Sequence, residues 1–420
     1  MKRNKMILTL ACFLTICLMT VTFYGCNPSL QAQDLMAGII PRAVATSTDL
    51  SKDNVIVSDF AVRLFNASYD KSRNTLISPL SVLCALAMTA NGAEGETLSQ
   101  METVLGMKSE ELNSYLYTYM KNLPQGEKYK LNLANSIWFT NRHNFTVNQD
   151  FLQTNADYYG ADIYQAPFDK STLKDINNWV KINTDEMIPK ILDEIPYEAV
   201  MYLVNALAFE AEWTEIYEKH QVQNGFFTNR NGVKQNAEFM YSSERTYLED
   251  ENAIGFIKYY KGGKYAFVAM LPNEEISVAE YINSLDGESL NALLSKSQNL
   301  TVNTAIPKFK TQFTTEMSEV LKTMGIRDAF DVDIADFRNL GTAPNGNIFI
   351  SRVLHKTIIS VGEKGTKAGA STVVEMGKDT SAPNQTKPKQ VYLDRPFVYM
   401  LIDCENNIPF FIGTMLDIKL

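Results

Sequence analysis

Over residues 53–420 the hydrophobic pattern switches between a period near 3.6 and a period of 2, in no regular order. That mixture constrains the fold more than any other feature. A strict alternation of strand and helix would build a parallel α/β sheet, whereas many strands with irregularly interspersed helices indicate α+β. Val55, Phe60, Ala61, Leu64 and Phe65 share one helical face. Ser78-Pro79 opens a second, apolar helix running to Ala90, with proline tolerated in its first turn, and Asn91-Gly92 ends it. Further helices are expected over 95–105, 108–122, 148–156, 172–192 and 314–324. Strands are expected over 131–139, 201–209, 265–271, 301–306, 349–361, 391–393, 397–403 and 409–415. No repeat and no long low-complexity stretch interrupts 53–377, so 53–420 reads as one domain.

The first residues read as an address. Lys2, Arg3 and Lys5 precede an uncharged apolar run from Met6 to Phe23, and Gly25 then stands directly before Cys26. Small residues mark signal-peptide cleavage sites, and a Cys just beyond resembles a bacterial lipoprotein signal. The resemblance implies removal of 1–25 and acylation of the Cys26 thiol, although Tyr24 departs from the small residue usual there. Residues 26–52 hold no sustained period and contain Pro28 and Pro41. They read as a flexible tether, spanning on the order of 25–30 Å. Asn27 lacks the Asp associated with inner-membrane retention, which points to an exported chain anchored to an outer membrane and open to the cell surface. In the remaining body only Cys84 and Cys404 are left. Two thiols make no disulfide framework; they read as buried free thiols, with a single bridge as the alternative.

Charge and motif exclude several functions. Lys and Arg number 39 against 48 Asp and Glu, for a net charge of −9. Losing the three basic residues of the signal makes it −12. Neutralising nucleic-acid phosphates needs a basic surface, so no nucleic-acid partner is expected. His143, His220 and His355 lie far apart without metal-ligand spacing, so no metal is expected. Ser371 sits in Gly369-Ala370-Ser371-Thr372-Val373, which lacks the second glycine of a nucleophile elbow. Neither a phosphate-binding loop nor a dinucleotide fingerprint occurs. The chain is not expected to be an enzyme, nor to need a cofactor.

Several stretches together resemble the serpin family over roughly 55–420. They are Asn74-Thr75-Leu76-Ile77-Ser78-Pro79-Leu80-Ser81 with Ala90-Asn91-Gly92-Ala93, and Val204-Asn205-Ala206-Leu207-Ala208-Phe209 through Trp213. Tyr265 to Pro272, Ile306-Pro307-Lys308-Phe309, and Leu321 to Phe330 follow. His355-Lys356, Glu363-Lys364-Gly365-Thr366, Arg395-Pro396-Phe397 and Phe410-Phe411-Ile412-Gly413 complete the series. No single match is specific; their joint order is. The resemblance implies helices around three β-sheets with one exposed reactive-centre loop near the C-terminus. It also implies a monomeric suicide inhibitor of serine endopeptidases, and by the same acyl chemistry of cysteine ones. A heparin-like cofactor is not expected, because Glu110 and Glu111 offset Lys108 and Lys121.

The loop can be read from its own residues. To enter a sheet it needs small residues first, no early proline, and alternation. Thr366, Ala368, Ala370, Thr372, Val374 and Met376 form one uncharged face, and Lys367, Gly369, Ser371, Val373 and Glu375 the other. The expected hinge is Glu363, Gly365, Thr366, Ala368, Gly369, Ala370 and Ser371. Family spacing counted from Glu363 puts the bait bond after Asp379; one residue shorter puts it after Lys378, which suits trypsin-like proteases. Counting back from Pro396 instead lands near Gln385; Met376, Val374 and Val373 would serve elastase-like or chymotrypsin-like enzymes, and Thr380 begins a polar stretch that offers further bonds. The resemblance gathers Ser78, Ser81, Asn205 and His355 into a buried polar latch, the family's shutter. A satisfied core cluster with no role in timing is the plainer reading of the same residues.

Overall fold

In this computed structural model, residues 30–47, 49–366 and 387–419 are described. Residues 32–420 form one compact unit. At its centre lies the helix Pro79–Ala90, whose twelve residues are all buried. Its sequence carries no charge, and a helix apolar on every side must be enclosed. It packs against the strands Tyr129–Thr140 and Met201–Glu212 on one side and Ile408–Met415 on the other. Those strands belong to two different sheets.

The first sheet has seven strands, in the order Gln33–Asp34, Asp162–Ala166, Tyr129–Thr140, Met201–Glu212, Gly365–Thr366, Arg352–Gly362, Phe309–Glu316. The second has nine, running from Lys389–Tyr392 through Gln298–Pro307, Lys234–Glu249 and Ala253–Tyr259 to Tyr265–Pro272, Phe397–Asp403, Ile408–Met415 and Leu76–Ile77. Val222–Thr228 pairs alongside Lys234–Glu249. Tyr265–Pro272, Phe397–Asp403 and Ile408–Met415 are buried at every position, as strands covered on both faces must be. Thr146–Val147 and Gly341–Thr342 form a third, two-stranded sheet. Cys84 and Cys404 are free thiols.

Three readings need correction. The helix expected over 314–324 is a strand, Phe309–Glu316, followed by a helix only from Ser318 to Met324. Phe309, Thr311 and Phe313 are buried while Lys310, Gln312 and Thr314 are exposed, so the period is 2. The helix expected over 172–192 runs from Lys170 to Asn183. Thr184 Oγ1 turns back to Val180 O at 2.8 Å, and Asp185 and Glu186 adopt positive φ, which ends it.

The third correction concerns the tether. From Ala32 onward the segment expected to be flexible is docked. Gln33–Asp34 adds antiparallel to Asp162–Ala166, with Gln33 opposite Gln165. The Ala32 N–H donates to Asp175 Oδ2 at 2.8 Å. Asp157 accepts the Arg42 N–H at 2.6 Å and its Nε–H at 2.8 Å. Leu35, Met36 and Ile39 rest against the core, and the first helix begins at Ser51. Backbone pairing and isolated anchors leave no hydrophobic period, which is why the sequence reads as a linker. Asp157→Ala should release this segment. Limited trypsinolysis followed by mass spectrometry should show cleavage after Arg42 several-fold faster than in the wild type; an unchanged rate would refute the anchoring role.

Candidate functional site: a seam in the seven-stranded sheet

Met201–Glu212 and Arg352–Gly362 are parallel and paired only from Tyr202 with Arg352 to Ala206 with Lys356. Above that point they part. At the top Gly365–Thr366 fills the space, antiparallel to both: Thr366 faces Val361 and Ala211, and Gly365 faces Gly362 and Glu212. Among the described residues no strand lies between 207–210 on one side and 357–360 on the other. The seam opens upward into a cavity of about 860 Å³, lined among others by Lys128, Tyr129, Glu210, Glu212, Ser360 and Glu363.

Gly365 occupies its place because nothing else fits. Its φ is +156°, and a Cβ there would overlap Ala211 O. The Thr366 side chain is buried, with Oγ1 hydrogen-bonded to Tyr260 Oη at 2.5 Å. The turn before it is held from below. Trp213 donates its indole N–H to Gly362 O at 2.9 Å and its backbone N–H to Lys364 O at 2.8 Å. The Tyr217 N–H donates to Glu363 O at 2.9 Å. Lys308 Nζ bridges Glu363 at 2.7 Å and Glu238 at 3.0 Å. Burial works to raise the Glu363 pKa, but the Lys308 hydrogen bond, a backbone hydrogen bond and the charges of Lys308 and Lys364 together outweigh it, and the net shift is downward. Glu363, Gly365 and Thr366 of the expected hinge are therefore placed at the head of the seam. Sequence reasoning used Trp213 and Lys308 only as matching landmarks and missed Tyr217 and Tyr260, which no spacing rule singles out. Ala368, Gly369, Ala370 and Ser371, together with Val374, Met376, Lys378, Asp379, Thr380 and Cys26, lie outside the described residues.

At the lower end of the seam Ser78, Asn205 and His355 meet, all buried. The Ser78 N–H donates to His355 Nε2 at 3.1 Å, so Nε2 is an acceptor and the ring proton sits on Nδ1. Nδ1–H then donates to Asn205 Oδ1 at 2.6 Å. This bond crosses the seam at the pair Asn205–His355, one rung below the last paired rung. The Ser81 N–H reaches Ser78 Oγ at 3.4 Å as a helix cap, and Ser81 Oγ has no partner among the described residues. Ser81 therefore joins the cluster only through its backbone. Burial lowers the His355 pKa to about 3. The imidazole stays neutral at any ordinary pH.

A family model described as serpin, serine protease inhibitor, matches residues 56–418. The chain is a serpin. Its structure is similar to that of tengpin, a thermophilic serpin, in the native state: TM-score 0.88 and 50% identity, covering 92% of this chain and all of that one. Against tengpin in the latent state the TM-score is 0.79 at the same identity, covering 89% of this serpin and all of that chain. The leukocyte elastase inhibitor of Equus caballus is 29% identical over 363 residues, covering 81% of this serpin and 93% of that protein.

The neutral His355 makes stability pH-dependent in a defined direction. In the unfolded chain it titrates near 6.5, and in the fold near 3. Its contribution is complete above the unfolded value and is lost as pH falls from 6.5 toward 3. Between pH 7 and 5 the wild type should lose about 2 kcal/mol more stability than His355→Asn. Denaturant unfolding at both pH values checks this; parallel pH profiles for the two proteins would contradict it.

Proposed function

We propose that this serpin is a suicide-type inhibitor of serine endopeptidases, trapping the acyl-enzyme by drawing its cleaved loop into the seam. The observation that carries this reading is the seam itself, parted above Ala206 and Lys356 and already entered by Gly365–Thr366. Carried down in the same register, Lys367 to Ala370 would fill the parted stretch, and Ser371 would meet Ala206 and Lys356. Further entry has to separate Asn205 from His355. The small hinge residues match the open part of the slot, and the polar latch stands where the closed part begins. Thr366 faces the core, so Ala368, Ala370, Thr372, Val374 and Met376 would follow it inward and Lys367 and Glu375 would face solvent.

The chemistry is that of an interrupted acyl transfer. The protease Ser Oγ adds to the carbonyl carbon of Lys378 or Asp379, the peptide C–N bond breaks, and the amine of the next residue leaves with the proton. The loop's N-terminal side, still esterified to the protease, is then free to insert. Dragging the ester out of register with the oxyanion-hole donors slows deacylation by orders of magnitude. A lipid on Cys26 would hold the inhibitor at a bacterial outer-membrane surface.

Residues 27–420 mixed with trypsin and with elastase should give a high-mass band that survives boiling in detergent. The released peptide should be 379–420 for attack at Lys378 or 380–420 for attack at Asp379. Ala370→Arg, which places a charge on the inward face, should turn the chain into a substrate that is cleaved without the band. Clean cleavage of the wild type by every protease of a wider panel would leave a serpin-fold protein that binds or is merely cut, and would sink the inhibitory reading. For the anchor, labelled palmitate should enter the full-length chain in a bacterial host and not its Cys26→Ala variant.

A further inference from the structure

Beneath the hinge lies a buried charge that the trapping scheme does not use. Lys258 has a side chain only 3% exposed, and its ammonium is 2.7 Å from Glu244 Oε1. It also lies 4.6 Å from the centre of the Tyr217 ring and 5.5 Å from that of Trp213. The Trp213 indole is stacked on Tyr260 at 4.4 Å between centroids. Glu244 is fixed in turn: Ser242 Oγ–H donates to the same Oε1 at 2.6 Å, and Ser242 Oγ lies 3.2 Å from Tyr217 Oη and 3.0 Å from Thr304 Oγ1. An ammonium taken out of water is costly unless paired, and aromatic faces attract it. The two rings it touches belong to the two residues whose N–H groups hold the carbonyls of Gly362, Glu363 and Lys364.

We infer that Lys258 is a positioning residue for loop insertion: with Glu244 it fixes Trp213 and Tyr217, so that the hinge turn is held in register and the first rung of the inserted strand is preformed. It touches neither the bait nor the protease. Its effect falls on the race between insertion and deacylation, and not on the first attack. This inference rests on the inhibitory reading above.

The measurement is the stoichiometry of inhibition, the moles of serpin consumed per mole of protease trapped, alongside the rate of bait cleavage. Lys258→Met should raise the stoichiometry at least threefold while the cleavage rate stays within twofold of the wild type. Lys258→Arg, which keeps the cation against both rings, should restore it to within twofold. Should Lys258→Met fail to fold, Tyr217→Phe retains the ring and cuts the hydroxyl link to Ser242; a smaller rise in the same direction is expected. As a readout independent of trapping, the indole emission change after loop cleavage should be slower in the variants. Wild-type stoichiometry in a folded variant, or a faster emission change, overturns the inference while the inhibitory reading stands. A wild type that is cleaved with neither a complex nor a gain in thermal stability overturns both.

Discussion

The fold is organised around one pairing that stops halfway. Two parallel strands share five rungs and then separate, and each keeps its other neighbour throughout the parted stretch. Buried backbone groups need partners, so a parted seam flanked by intact ladders is a standing demand for one more strand. Among the described residues that demand is met only at the top, by Gly365 and Thr366. Everything else described at the site bears on this incompleteness: the turn held from below by Trp213 and Tyr217, the Lys308 bridge to Glu363, and the imidazole-to-amide bond that marks the lower limit of the opening. In the proposed mechanism the loop would supply the missing strand once it has been cut.

The arrangement also accounts for direction. The guest strand is antiparallel to both hosts, because it returns through the tight turn at 362–365 from the strand it pairs with. The proposed insertion would therefore exchange a parallel pairing for two antiparallel ones, starting from the rung that Gly365–Thr366 already makes.

Legibility in the sequence followed the range of the interactions. The helix Gly95–Leu105 and the strand Phe397–Asp403 agree with the reading to the residue, because a clean period and a glycine stop are local signals. The strand Phe309–Glu316 was legible too, since its alternation is plain, but the helical residues just beyond it drew the assignment. The docked N-terminal segment left no trace, because its anchors, Asp157 and Asp175, are more than a hundred residues away. At the site, the latch residues could be named only through the family resemblance; hydroxyl, amide and imidazole say nothing of proximity across 277 residues. The pair Lys258–Glu244 did leave a signal that went unread: a lone lysine inside the run Phe256-Ile257-Lys258-Tyr259-Tyr260 needs a buried counter-ion.

Gly365 carries a consequence of its own. It would set the phase of a strand inserted after it. A side chain there would collide with Ala211 O and push the turn out of the sheet. Were the strand to re-enter one residue later, every position would change sides. Lys367 and Glu375 would then point into the core, and the row of alanines would look out at solvent. Under the proposed insertion the frame of the whole segment is thus set by a single missing methyl group, and a shift of one residue would make the same sequence indigestible to its own sheet.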